Sequence, residues 1–136
     1  MPDFQLDPRI ASDSVPVTAL ALSDLRLMKD RRFPWLILVP RRPAVAEIID
    51  LSGADRAVLL GEMVQVSGAL RAATGCDKLN IGALGNIVRQ LHVHVVARFE
   101  SDAAWPGPVW GSGAAIPYAP GEAERLIARL TAAGLV

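Results

Sequence analysis

The chain has 136 residues, 51% of them apolar, and its 14 Lys and Arg balance 14 Asp and Glu. That length fits one domain over residues 1–136 with a single core, and that apolar share excludes a disordered chain. A net charge of zero provides no general field for a nucleic-acid polymer or an anionic membrane, so a phosphate-bearing partner must be gripped locally.

Cys76 is the single cysteine, which excludes an intrachain disulfide and a Cys-rich zinc site. The first residues are acidic, without the basic start and apolar run of a signal peptide. The longest strongly apolar stretch, Trp35 to Val39, is too short to span a bilayer. These features read as a cytoplasmic protein.

In chain order, Asp7 to Asp13 reads as a short helix, and Val15 to Met28 carries strand-like apolar residues. Trp35 to Val39, bounded by Pro34 and Pro40, predicts a strand whose continuous apolar character implies burial on both faces. The clearest element is a helix from about Ala54 to Thr74. Ser52 is its N-cap, Gly75 its stop, and Leu59, Met63, Val66, Leu70 and Ala73 form one apolar stripe. A strand follows around Asp77 to Gly82, then a turn at Ala83 to Asn86, then an alternating strand from Leu91 to Phe99. The last two strands read as a hairpin-like unit. Residues from about Glu100 to Tyr118 are rich in Pro, Gly and Trp and fit no regular element, whereas Gly121 to Ala133 predicts a terminal helix. The sum is an α+β fold, an antiparallel sheet of about five strands with helices packed on it.

The chain's two histidines lie two apart, in Gln90-Leu91-His92-Val93-His94-Val95-Val96. Strand alternation places Gln90, His92 and His94 on one face and sends Leu91, Val93 and Val95 into the core. Three readings compete. The first is a pair of ordinary surface histidines; the second is two zinc ligands, which would require a carboxylate from elsewhere; the third is nucleophilic or acid–base chemistry on phosphate, since imidazole ordinarily titrates nearest neutrality. The upstream segment Asn80-x-Gly82-x-x-Gly85-Asn86 favours the last, because glycines let backbone N–H groups approach an anion. Asn80, on the outward face of its strand, is placed to orient an imidazole.

With these residues in hand, the sequence resembles the histidine triad family, whose signature is three histidines alternating with apolar residues. Gln90 stands at the first histidine position. Leu38-Val39-Pro40-Arg41-Arg42-Pro43 resembles the family's apolar strand ending in Pro and a basic segment, and the likeness runs over about residues 22–110, leaving a C-terminal loop and helix at 111–136. The resemblance implies that His92 attacks the α-phosphorus of a nucleotide. A nucleotidyl-histidine forms, and water then releases the monophosphate. His94 and Gln90 would support this step. The N–H groups near Gly85 and Asn86 would contact phosphate, and Asp30 or Lys29 would lie near the ribose. Leu25, Leu27, Phe33 and Leu36 are candidates for the base pocket, and Arg31-Arg32 and Arg41-Arg42 for guiding a polyphosphate.

The scheme requires no metal and no cofactor. Glutamine cannot titrate, so the expectation is a slower enzyme favouring good leaving groups, such as dinucleoside polyphosphates. The rival reading is a nucleotide-binding regulatory protein of low activity. Trp105 and Trp110 would pack on their own subunit, close over the nucleotide, or meet a second subunit, and the resemblance implies a homodimer.

Overall fold

The computed structural model describes residues 3–135. A short helix α1 (Pro8–Asp13) leads into strands β1 (Ser14–Ala19), β2 (Ser23–Met28) and β3 (Trp35–Pro40). Helix α2 (Gly53–Thr74) follows, then β4 (Lys78–Gly82), β5 (Val93–Arg98) and helix α3 (Glu122–Ala132). The five strands form one antiparallel sheet in the order β1-β2-β3-β5-β4. This is the α+β arrangement the sequence implies. Pro16 lies on the edge strand β1, at a register shift, where its missing N–H disturbs no inner ladder.

Alternation along the central strands sorts side chains between two covered faces. Leu25, Leu27, Leu36, Leu38, Val95 and Ala97 pack beneath α2 and α3, together with Val66, Leu70, Leu126 and Leu130. Trp35, Ile37, Val39 and Val96 face the other way, against Phe4, Leu6, Ile10, Phe33 and Val109. Every residue of β3 and of β5 is therefore buried. Each fully buried Leu or Val contributes about 1.5–3 kcal/mol. The candidate base-pocket residues Leu25, Leu27, Phe33 and Leu36 are core residues, enclosed in these two clusters.

Helix α2 is bounded as its sequence dictates: Ser52 accepts from Asp55 N at 3.1 Å, and Gly75 closes the helix at φ +66°. A charged residue, Glu62, shares the buried side of this helix. Its Oε2 accepts from Leu22 N at 2.8 Å, tying the helix to the start of β2.

The hairpin expectation needs correction. Strands β4 and β5 pair, with Gly82 opposite His94, but a long irregular segment joins them, and β5 begins at Val93 instead of Leu91. Leu91 N donates instead to Val45 O at 3.0 Å, outside the sheet ladder.

Candidate functional site

His94 lies inside β5, 5% exposed, whereas His92 precedes the strand and is half-buried. Their ring centroids are 4.8 Å apart with planes at 64°. Nδ1 of His92 meets the Gln90 carbonyl at 2.7 Å. A carbonyl only accepts, so that nitrogen carries the proton and Nε2 of the neutral ring bears the lone pair. Nδ1 of His94 accepts from Trp35 Nε1–H at 2.9 Å. Burial, then the neighbouring His92, push the His94 pKa down to about 3, so this ring stays neutral where an ordinary histidine would charge.

Two indole contacts hold the His94 ring. Trp110 lies edge-on to His94 with centroids 5.4 Å apart, and Trp35 lies 5.7 Å from His94. The two indoles meet each other at 88°. Gly82 explains how Trp110 comes so close, because a Cβ there would stand 3.2 Å from the indole ring. Trp110 thus packs on its own chain, and Trp105 lies beneath the Arg98 guanidinium at 5.6 Å.

The segment carrying Trp110 is organised by a buried ion pair. Arg98 Nε donates to Asp102 at 2.8 Å, and its other nitrogens donate to Asn80 Oδ1 and Gly107 O, each at 2.8 Å. Asp102 also accepts from the backbone N–H of Phe99, Ala104 and Trp105. The Arg98 hydrogen bonds, aided by the Phe99 and Ala104 amides, bring the Asp102 pKa down to about 2 against the opposing effect of burial. Asn80 is accordingly a structural partner of Arg98 and does not orient a histidine.

His92 and His94 open onto a cavity of about 790 Å³, which Gly85 and Asn86 also line. Gly85 takes φ +66° at the turn, a conformation costly for a residue with a Cβ. The apolar wall comes from Met28, Leu84, Ile87, Val88 and Val109, and Arg9 and Lys29 bring cations. Neither cation forms an ion pair among the described residues.

Asp30 borders the same cavity, but its carboxylate is engaged by Arg32 Nε and Nη2 at 3.0 and 2.8 Å and by the N–H of Arg32. Burial raises its pKa, and these bonds outweigh that and hold it below the ordinary value. Asp30 therefore anchors its own turn, and Lys29 beside it makes no ion pair among the described residues. Arg41 and Arg42 pair with Asp24 and Asp55 and do not line the cavity.

Gln90 also departs from expectation. Its Oε1 accepts from Asp7 N at 2.9 Å and its Nε2 donates to Gln5 O at 2.8 Å. It borders a smaller adjoining hollow of about 300 Å³, shared with His92, Ile48 and Ile49. Among the described residues no three His, Cys, Asp or Glu side chains cluster to hold a metal.

Two neighbouring histidines at the start of an inner strand, over a cavity lined by Arg9, Lys29, Asp13 and Asp30, define a histidine-centred α+β domain. A family model described as the HIT domain matches residues 11–101, and the chain belongs to this family of histidine triad proteins. A histidine triad protein from Sinorhizobium meliloti 1021 is 52% identical over 95% of this chain and 96% of its own, with a TM-score of 0.93. One from Bradyrhizobium japonicum is 46% identical over 96% and 98% of the two chains, TM-score 0.94. One from Marinobacter aquaeolei VT8 is 39% identical over 97% and 96%, TM-score 0.94. No curated protein matches the sequence. Membership implies a nucleotide-binding or nucleotide-hydrolase type of function. No helix is long and apolar enough to cross a membrane.

Proposed function

We propose that the protein is a nucleotide phosphohydrolase or nucleotidyl transferase in which Nε2 of His92 attacks the α-phosphorus of a bound nucleotide. The observation that carries this reading is the 2.7 Å contact between His92 Nδ1 and the Gln90 carbonyl, because it fixes the proton of the neutral tautomer on Nδ1 and so assigns the electron pair of that tautomer to Nε2.

A P–N bond forms as the bond to the leaving group breaks, and the leaving group departs with that electron pair. Water then attacks phosphorus and gives up a proton to solvent, the P–N bond breaks with its electron pair returning to Nε2, and the nucleoside monophosphate is released. His94, together with Asn86 and the backbone N–H groups around Gly85, supplies hydrogen bonds to the non-bridging oxygens, where such fixed donors act most strongly. Arg9 and Lys29 attract the remaining phosphate and ribose groups, beside Asp30. Gln90 acts through its main-chain carbonyl.

Because Gln90 offers no titratable proton, dinucleoside polyphosphates, which lose an already acidic phosphate group, are the favoured substrates. The test is hydrolysis of diadenosine tetraphosphate. His92→Ala is expected to lose about a thousand-fold or more in kcat, and an unchanged rate would overturn the reading.

A homodimer completes the proposal. Strand β4 leaves one edge of the sheet unpaired. Beside it Leu60, Val64 and Ile81 are 61%, 66% and 47% exposed around a groove of about 370 Å³. A free strand edge next to apolar side chains favours pairing with a second copy.

The rival, a nucleotide-binding regulatory protein, draws support from the side chain of Gln90, both ends of which are already bound. Stoichiometric AMP binding with no consumption of diadenosine tetraphosphate would favour it.

A further inference from the structure

We propose that Trp35 is a positioning residue for this site: its indole N–H fixes His94 with the lone pair on Nδ1 and the proton on Nε2. His94 then presents a fixed neutral donor to a phosphoryl group seated at His92. The role assigned to that donor rests on the reading above; the fixed tautomer does not.

The register sets the pair up. Trp35 stands opposite Val96 and Ile37 opposite His94, so Trp35 and His94 are diagonal neighbours on one face of adjacent strands, within reach of long side chains. Their nitrogens are 2.9 Å apart in a buried setting. An indole nitrogen can only donate, so the facing imidazole nitrogen must accept. The opposite tautomer would set two N–H groups head to head and leave a buried donor unsatisfied, at a cost of about 1–3 kcal/mol. It would also turn the Nε2 lone pair toward anionic oxygens.

His92 has the reverse arrangement, with its proton on Nδ1 against the Gln90 carbonyl. The two rings, 4.8 Å apart, thus hold opposite tautomers: one presents a lone pair and the other a proton. Packing of Trp110 against His94 limits rotation of the ring away from this alignment.

The chain has only two histidines, so long-range ¹⁵N–¹H correlation spectra of the labelled protein resolve both rings. The expected wild-type spectrum shows His92 protonated on Nδ1 and His94 on Nε2. Trp35→Phe keeps an aromatic ring and removes the donor. In it, His94 is expected to become a mixture of tautomers while His92 is unchanged, and kcat on diadenosine tetraphosphate falls about ten-fold or more with little change in KM.

A wild-type His94 protonated on Nδ1 would overturn the proposal, as would an unaltered Nε2–H tautomer in Trp35→Phe. If that variant does not fold, the wild-type spectrum decides alone. The spectra read the tautomer whether or not a nucleotide is turned over, so a failure of the hydrolase reading is told apart from a failure of this one.

Discussion

The main-chain carbonyl of Gln90 stands 2.7 Å from Nδ1 of His92, while both ends of the Gln90 side chain are bound to residues 5 and 7. One residue thus joins the orientation of the His92 ring to the N-terminal segment that carries Arg9 to the cavity. Gln90→Ala keeps the carbonyl and removes the tie. It is expected to destabilise the protein by about 1–2 kcal/mol and to speed amide exchange in residues 5–13. Tm and hydrogen exchange check this; unchanged exchange there would refute the tie.

Arg98 and Asp102 are both almost fully buried and bonded to each other at 2.8 Å. Asp102→Asn leaves the guanidinium without its counter-charge, so a loss of about 3–5 kcal/mol is expected. The loop bearing Trp110 should loosen with it. Denaturant unfolding measures the loss, and a change below about 1 kcal/mol would contradict the ion pair's role.

Acid should destabilise the fold in two stages. His94 has its pKa lowered to about 3, so between an unfolded value near 6.5 and that folded value the unfolded chain binds the extra proton. Its contribution is complete above about pH 6.5 and is lost as pH falls, by up to about 1.4 kcal/mol per pH unit. Asp102, lowered to about 2, adds a second loss below about pH 4. Unfolding free energy measured from pH 7 to pH 3 should therefore begin to fall above the carboxylate range. A flat profile down to pH 4 would refute the His94 part.

Val64 and Ile81 are exposed beside the free edge of β4. Sedimentation is expected to give twice the chain mass for the wild type and a single chain mass for Val64→Arg. A wild-type mass of one chain would remove the dimer from the account.

Much of the fold is legible locally. Ser52, Gly75 and the stripe at Leu59, Val66 and Leu70 delimit α2 because caps and periodicity act within a few residues. The apolar run 35–39 predicts a doubly buried strand for the same reason. The partnerships are not legible, because they join distant positions. Glu62 looks like a surface acid until Leu22 N is seen to need its carboxylate. Asn80 and Asp30 look like site residues until Arg98 and Arg32 claim them. Trp35 reads only as a strand residue, since nothing in its neighbourhood announces a bond to His94, 59 positions away. The His-x-His spacing and the glycine turn give the cavity wall at His92, His94, Gly85 and Asn86. Lys29 is legible beside Asp30, whereas Arg9 reaches the cavity only when α1 folds against the sheet, and the apolar wall gathers from separate segments, at Met28, Leu84 to Val88 and Val109.

The most direct test of the central claim is the intact mass of the protein, quenched without acid shortly after mixing with diadenosine tetraphosphate, for wild type and His92→Ala. Covalent transfer through His92 predicts an increase of one nucleotidyl group on the wild type and none on the variant. The same increase on both proteins, or wild-type turnover by His92→Ala, would contradict it.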